Sequence, residues 1–114
     1  MTGMDDLVTW LRAQLDEDER YAREARPGPW TADGGMVYVN HPTDEVVNYT
    51  ESAEHIARWD PARVLREVEA KRKIIDELER CGPTTDGHAG LRFAVQCLAL
   101  PYADRSGYRD EWRP

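Results

Sequence analysis

One dipeptide constrains this chain more than any other feature: Asp60-Pro61, set inside Ala53–Arg72. Proline has a fixed φ and no N–H, so it suits the first position of a helix, where an N–H has no intrahelical partner. The residue before it is pushed out of the α region. Asp60 is also a good N-cap, because its carboxylate can accept from the free N–H groups of a new helix. The stretch therefore reads as a short helix, a sharp break, and a long helix from Pro61 to about Arg80. Cys81-Gly82-Pro83 is a stop signal. Val64, Leu65, Val68, Ile75 and Leu78 form the apolar stripe of the long helix, widened by Ile74. Glu67–Lys71, Glu69–Lys73 and Asp76–Arg80 are spaced as i,i+4 pairs with the acid first.

The rest of the chain falls into place around that break. Met4 to about Ala25 reads as an amphipathic helix, with Leu7, Trp10, Leu11, Leu15, Tyr21 and Ala22 on its apolar face. Asp5 and Asp6 at its start and Arg20, Arg23 and Arg26 at its end suit the helix dipole, and Asp16–Arg20 and Glu19–Arg23 can pair along it. The acidic run Asp16–Glu19 reads as a solvated face. Pro27-Gly-Pro-Trp30 ends the helix. Segments near Trp30–Ala32, 36–40 and 45–49 are rich in strand-forming residues, separated by Asp33-Gly34-Gly35 and His41-Pro-Thr-Asp44. They predict a small antiparallel sheet of two to three strands at about 30–49, with one face packed on helices. Thr50 is the expected N-cap of a helix opening at Glu51. A last helix spans Ala89 to about Leu100, with Leu91, Val95 and Leu98 on one stripe, Phe93 and Cys97 beside it, and Pro101 as its stop. The fold class is α+β, mostly helical.

The 114 residues predict a single domain over 1–114, with an aromatic tail at 101–114. The tail holds Tyr102, Tyr108 and Trp112, more aromatic surface than a disordered tail carries. Those three are expected to lie on the body of the protein or on a second copy. The net charge of −7 argues against nucleic acid, which selects clustered Lys and Arg. Lys71-Arg72-Lys73 is surrounded by acids and reads as solvated surface. No apolar run is long enough for a membrane helix, and no secretory signal precedes Asp5, so a cytoplasmic location is expected. The two cysteines are then expected as free thiols.

The search for chemistry finds little. Glycine-rich phosphate loops, His-Glu-x-x-His and a nucleophile elbow are all missing from the sequence. Ser52 and His55 lie three apart without an orienting acid. Enzymatic activity is therefore not expected, and no cofactor is implied. Cys81, His88 and Cys97 could supply three zinc ligands, but they are spaced singles where zinc selects close pairs. A ligand reading gathers Trp30, Tyr38 and Tyr49 as a platform for a nucleotide-like ring, with Arg58, Arg63 and Arg66 as anion contacts. Packing in the core and on the sheet face competes with it.

The segment His55-Ile-Ala-Arg-Trp-Asp-Pro-Ala-Arg-Val-Leu-Arg-Glu-Val-Glu-Ala-Lys-Arg72, the opening Met4-Asp-Asp-Leu-Val-Thr-Trp-Leu-Arg12 and the ending Leu98-Ala-Leu-Pro-Tyr102 through Glu111-Trp-Arg-Pro114 resemble an actinobacterial family of small acidic proteins of unknown function. More loosely, the order of motifs resembles phage accessory proteins of the Ead/Ea22-like kind. The resemblance brings no activity with it. It implies a zinc-knuckle-like Cys-x-x-Cys between the long helix and the ending, which this chain lacks. The implied metal would then be lost, with Leu91, Phe93 and Val95 packing in its place. The expectation that follows is a non-enzymatic accessory or protein-interaction protein, self-associating as a homodimer or binding another protein, of phage or mobile-element origin. The alternatives are a nucleotide-like small-ligand binder and a degenerate zinc module.

Overall fold

The computed structural model describes residues 3–114. The chain is α+β and mostly helical. Helix α1 (Gly3–Glu24) is followed by strands β1 (Trp30–Asp33), β2 (Met36–Val39) and β3 (Asp44–Val47), helices α2 (Ala53–Arg58), α3 (Pro61–Arg80) and α4 (His88–Ala99), and two short 3₁₀ turns, Leu100–Tyr102 and Asp110–Trp112. The described residues form two compact units. One holds residues up to Glu17 and from Glu69 onward; the other is Asp18–Val68. Helices α1 and α3 contribute residues to both.

In the first unit, Leu7, Leu11, Leu15, Ile75 and Val95 are fully buried. The spacing of the three leucines on α1 is the i, i+4, i+8 stripe expected of a core-facing helix. Arg12 of α1 bridges Asp76 and Glu79 of α3, while Asp16, one turn on, meets Arg72 at 2.7 Å. The bridges climb one helix as they descend the other, so these segments run antiparallel. Hydrogen bonds from Arg12 to Asp76 and Glu79 hold its guanidinium above its ordinary pKa. The tail closes the unit. Trp10, Tyr108 and Trp112 form a triangle of rings with centroids 5.6–5.7 Å apart. Trp112 is 4 % exposed and Tyr102 is 5 %. Trp10 Nε1 donates to the Ser106 carbonyl at 3.0 Å, and Arg109 meets Asp6 at 3.0 Å. Much of the aromatic surface of residues 101–114 is thus covered within the chain.

The second unit holds the sheet, in the order β1-β2-β3, both pairs antiparallel. Asp33 faces Met36 across a two-residue turn in which Gly34 and Gly35 have φ of +58° and +84°. Positive φ at both central positions defines a type I′ hairpin and selects glycine. A Cβ at Gly35 would also lie only 2.9 Å from the Tyr49 ring. The small core is Val37 with Ala53 and Ala57 of α2; Trp30, Ala32, Val46, Val47 and Ile56 pack against it.

Several local expectations are corrected. Helix α2 opens at Ala53 with Ser52 at the cap position, and Thr50 Oγ1 instead accepts from the Ser52 N–H at 3.0 Å. A hydroxyl that binds a backbone N–H two residues on stabilises a turn, and here the turn delays the helix. Pro101, by contrast, ends the α-helix as expected: α4 stops at Ala99, and the chain continues only through the 3₁₀ turn Leu100–Tyr102, where the missing N–H of Pro101 costs nothing. Phe93 is 57 % exposed and Tyr21 is 56 %, so neither packs as its helix stripe suggests. Of the expected acid-first pairs, Glu69–Lys73 forms at 3.4 Å, while Asp76 turns to Arg12 and Arg80 to Glu77.

Candidate functional site

The Asp60-Pro61 break does more than start a helix. Asp60 Oδ1 accepts from the Arg63 N–H at 2.9 Å, which is the expected cap. Its other oxygen accepts from the Trp30 N–H at 3.1 Å. One carboxylate therefore ties the first residue of β1 to the first turn of α3. Trp30 is fixed from a second direction, its indole Nε1 donating to the Arg26 carbonyl at 3.0 Å.

Between those tied elements lies an open cleft of about 470 Å³. Trp30, Glu54, Arg58, Asp60, Arg63 and Arg66 line it. The α2–α3 corner puts all three arginines there: Arg58 ends α2, and Arg63 and Arg66 lie one turn apart on α3. The lining carries three positive and two negative formal charges, a local excess of cation in a chain whose net charge is −7.

The three arginines are held differently. Arg63 is ordered. Its guanidinium lies 4.0 Å over the Trp59 ring, reaches the Arg58 carbonyl at 3.4 Å and meets Glu67 at 3.6 Å. Stacking on an indole leaves the guanidinium's in-plane donors available. Arg58 meets Glu54 at 3.8 Å, with both side chains about three-quarters exposed. Such a pair contributes little and exchanges readily with solvent. Arg66 is exposed and has no hydrogen-bond or ion-pair partner among the described residues.

Four of the six expected ligand contacts thus come together: Trp30, Arg58, Arg63 and Arg66. The two tyrosines do not join them. Tyr38 donates to Met36 Sδ at 2.7 Å and packs edge-on against His41. Tyr49 is 71 % exposed and lines a neighbouring opening. The ring platform expected from the sheet is therefore not assembled in this cleft; only Trp30 brings a ring to it. The carboxylate staple from Asp60 to Trp30 has no local sequence signal, because it joins residues 30 apart. The Trp59–Arg63 stack does have one, an aromatic and an arginine at i,i+4 across the break.

The zinc candidates remain apart in role. Cys81 is half-buried, its Sγ 3.8 Å from Glu77; Cys97 is exposed on α4; His88 is the first residue of α4. Among the described residues, no group of three or more His, Cys, Asp or Glu is placed to hold a metal ion. Nor is any described helix long and apolar enough to cross a membrane.

A mostly helical α+β chain with an arginine-lined cleft is the class that fold and site define. The chain belongs to a family of unknown function (DUF6221), which it matches over residues 4–114. No curated protein and no solved structure matches it.

Proposed function

We infer that the protein is a non-enzymatic binding protein whose arginine cleft receives an anionic ligand. The observation that carries this reading is Arg66: a cation without a partner among the described residues, in a cleft beside two more arginines, on a strongly acidic chain. The net charge of −7 disfavours anions at long range, so a cluster of three arginines marks where one would be held. Arg63, pre-ordered on Trp59, presents its donors at reduced entropic cost. Arg58 and Arg66 are free to close on a carboxylate or phosphate group. Trp30 offers one apolar wall, which suits a ligand that couples an anion to a small apolar or ring-bearing part.

Calorimetry with pyrophosphate and adenosine monophosphate tests this. Binding that weakens about tenfold in Arg66→Ala, with the melting curve unchanged, is the expected result. Equal binding by wild type and the variant would overturn it.

A second reading, as an accessory protein that associates with itself or with another protein, has its own observation. Phe93, Cys97 and Leu100 follow one another at helical spacing, and Phe93 and Leu100 are 57 % and 41 % exposed. An apolar stripe on a charged protein favours docking. The resemblance to phage and mobile-element accessory proteins agrees with such a role. Light scattering during size-exclusion chromatography, comparing wild type with Phe93→Glu, decides it: a dimer lost in the variant supports the reading, and a wild-type monomer removes self-association.

A further inference from the structure

The arginine cleft continues past Ala32. A second opening of about 450 Å³, lined in part by Asp33, Gly34, Gly35, Tyr49 and Glu51, shares Ala32 and Glu54 with it. Together they make one groove alongside β1. At the Trp30 end stand Arg58, Arg63 and Arg66. At the Asp33 end stand Asp33 and Glu51, both exposed; Asp33 bonds His41 at 2.8 Å, and Glu51 has no partner among the described residues. The groove is positive at one end and negative at the other.

Strand β1 lies at the edge of the sheet, paired with β2 alone. The Trp30 N–H points away from β2, to Asp60. Main-chain groups alternate in direction along an antiparallel strand. The N–H and C=O of Ala32, two residues on, therefore also point out of the free edge, where the two openings meet. An edge with an unused donor and acceptor is a template for another chain.

We propose that this groove takes an extended polypeptide segment, acidic at one end and basic at the other, aligned on β1 by main-chain hydrogen bonds at Ala32. The proposal rests on the anion-binding reading of the arginine cleft and names what carries the anion. A phosphate or a free carboxylate answers only the arginines. A residue of an extended peptide offers a donor and an acceptor side by side, which is what Ala32 presents. The four residues of β1 span about 13 Å, so the segment is about four residues long. In an antiparallel arrangement, like the rest of the sheet, its acidic end is C-terminal and lies beside the arginines.

The test uses the full chain and a capped, fluorescein-labelled peptide, Lys-Lys-Val-Thr-Glu-Glu, read by fluorescence anisotropy. Saturable binding is expected, displaced by pyrophosphate. Arg66→Ala and the double variant Asp33→Asn/Glu51→Gln should each weaken it about tenfold, and N-methylation of the peptide's Val or Thr should do the same without touching the protein. If pyrophosphate binds but the labelled peptide does not, the groove proposal is overturned and the anion site stands. The groove proposal also fails if peptide binding falls in Arg66→Ala but ignores both N-methylation and the double variant. If neither probe binds, both readings fail.

Discussion

The two compact units use arginine and tryptophan in opposite ways. In the unit built from the start of α1, the end of α3, α4 and the tail, several arginines pair inside the unit, although Arg92 has no partner among the described residues and the Tyr108 hydroxyl and Trp112 Nε1 are buried without one. Arg12 is committed to Asp76 and Glu79, Arg72 to Asp16 and Arg109 to Asp6, while Trp10 gives its N–H to Ser106. In Asp18–Val68 the cluster between sheet and α2 is Val37, Ala53 and Ala57 with partly buried neighbours, and three arginines line an open cleft, one of them unpartnered among the described residues. Pairing arginines between helices and gathering three of them on one cleft are different uses of the same side chain. On the proposed anion-binding reading, the first unit supplies stability and the second recognition.

The largest effect should come from the sealed unit. Trp112 is buried to 4 % exposure and touches both Trp10 and Tyr108. Trp112→Ala should cost about 3–5 kcal/mol, read as a fall in the urea midpoint. A cost below about 1 kcal/mol would mean that the tail adds nothing to the core and the contrast is wrong. Asp60→Ala comes next. It removes the α3 cap and the bond to Trp30 together, at a cost of about 1–2 kcal/mol. It should also weaken anion binding, because the cleft walls lose their tie. Asp60→Asn keeps one acceptor and should restore part of both. If Asp60→Ala lowers stability but leaves binding intact, the staple does not position the arginines.

Much of this architecture is written in local chemistry. The Asp60-Pro61 cap, the α3 span, the Gly34-Gly35 hairpin and the leucine stripe of α1 all follow from short-range rules, and short-range rules hold wherever tertiary contacts agree with them. The failures have the same origin. Thr50 does accept from the Ser52 N–H as a cap would, but the chain forms a turn there and α2 begins only at Ala53. Asp76–Arg80 is a fair pair until Arg12 offers Asp76 a better one. Part of the site is legible because Arg58, Arg63 and Arg66 sit near one helix corner. The rest is not. Trp30 reaches the cleft through a bond to Asp60 thirty residues away, and Tyr38 and Tyr49 are drawn elsewhere by Met36, His41 and Gly35.

Smaller effects sharpen the contrast from the other side. Arg66→Ala should leave stability within about 0.5 kcal/mol, since nothing among the described residues depends on this exposed, unpartnered side chain. A larger loss in chemical denaturation would show that Arg66 is structural and would transfer it to the sealed kind.

The smallest expected effect is a pH dependence. A hydrogen bond from Arg80 holds the Glu77 carboxyl below its ordinary pKa, and Arg80 is raised in turn by Glu77. A carboxylate whose pKa is lower in the folded than in the unfolded chain stabilises the fold fully above its unfolded value, and that contribution disappears as pH falls through the folded one. The Glu77 side chain is about half exposed and that of Arg80 about three-quarters, so solvent screens the pair and salt should erase it. Thermal melts of wild type and Glu77→Gln should therefore differ slightly at neutral pH and converge under acid or in high salt. Because the pair lies at the end of α3 in the sealed unit, its titration should leave anion binding in the cleft unmoved. A parallel shift in binding would show that the two units do not divide their tasks.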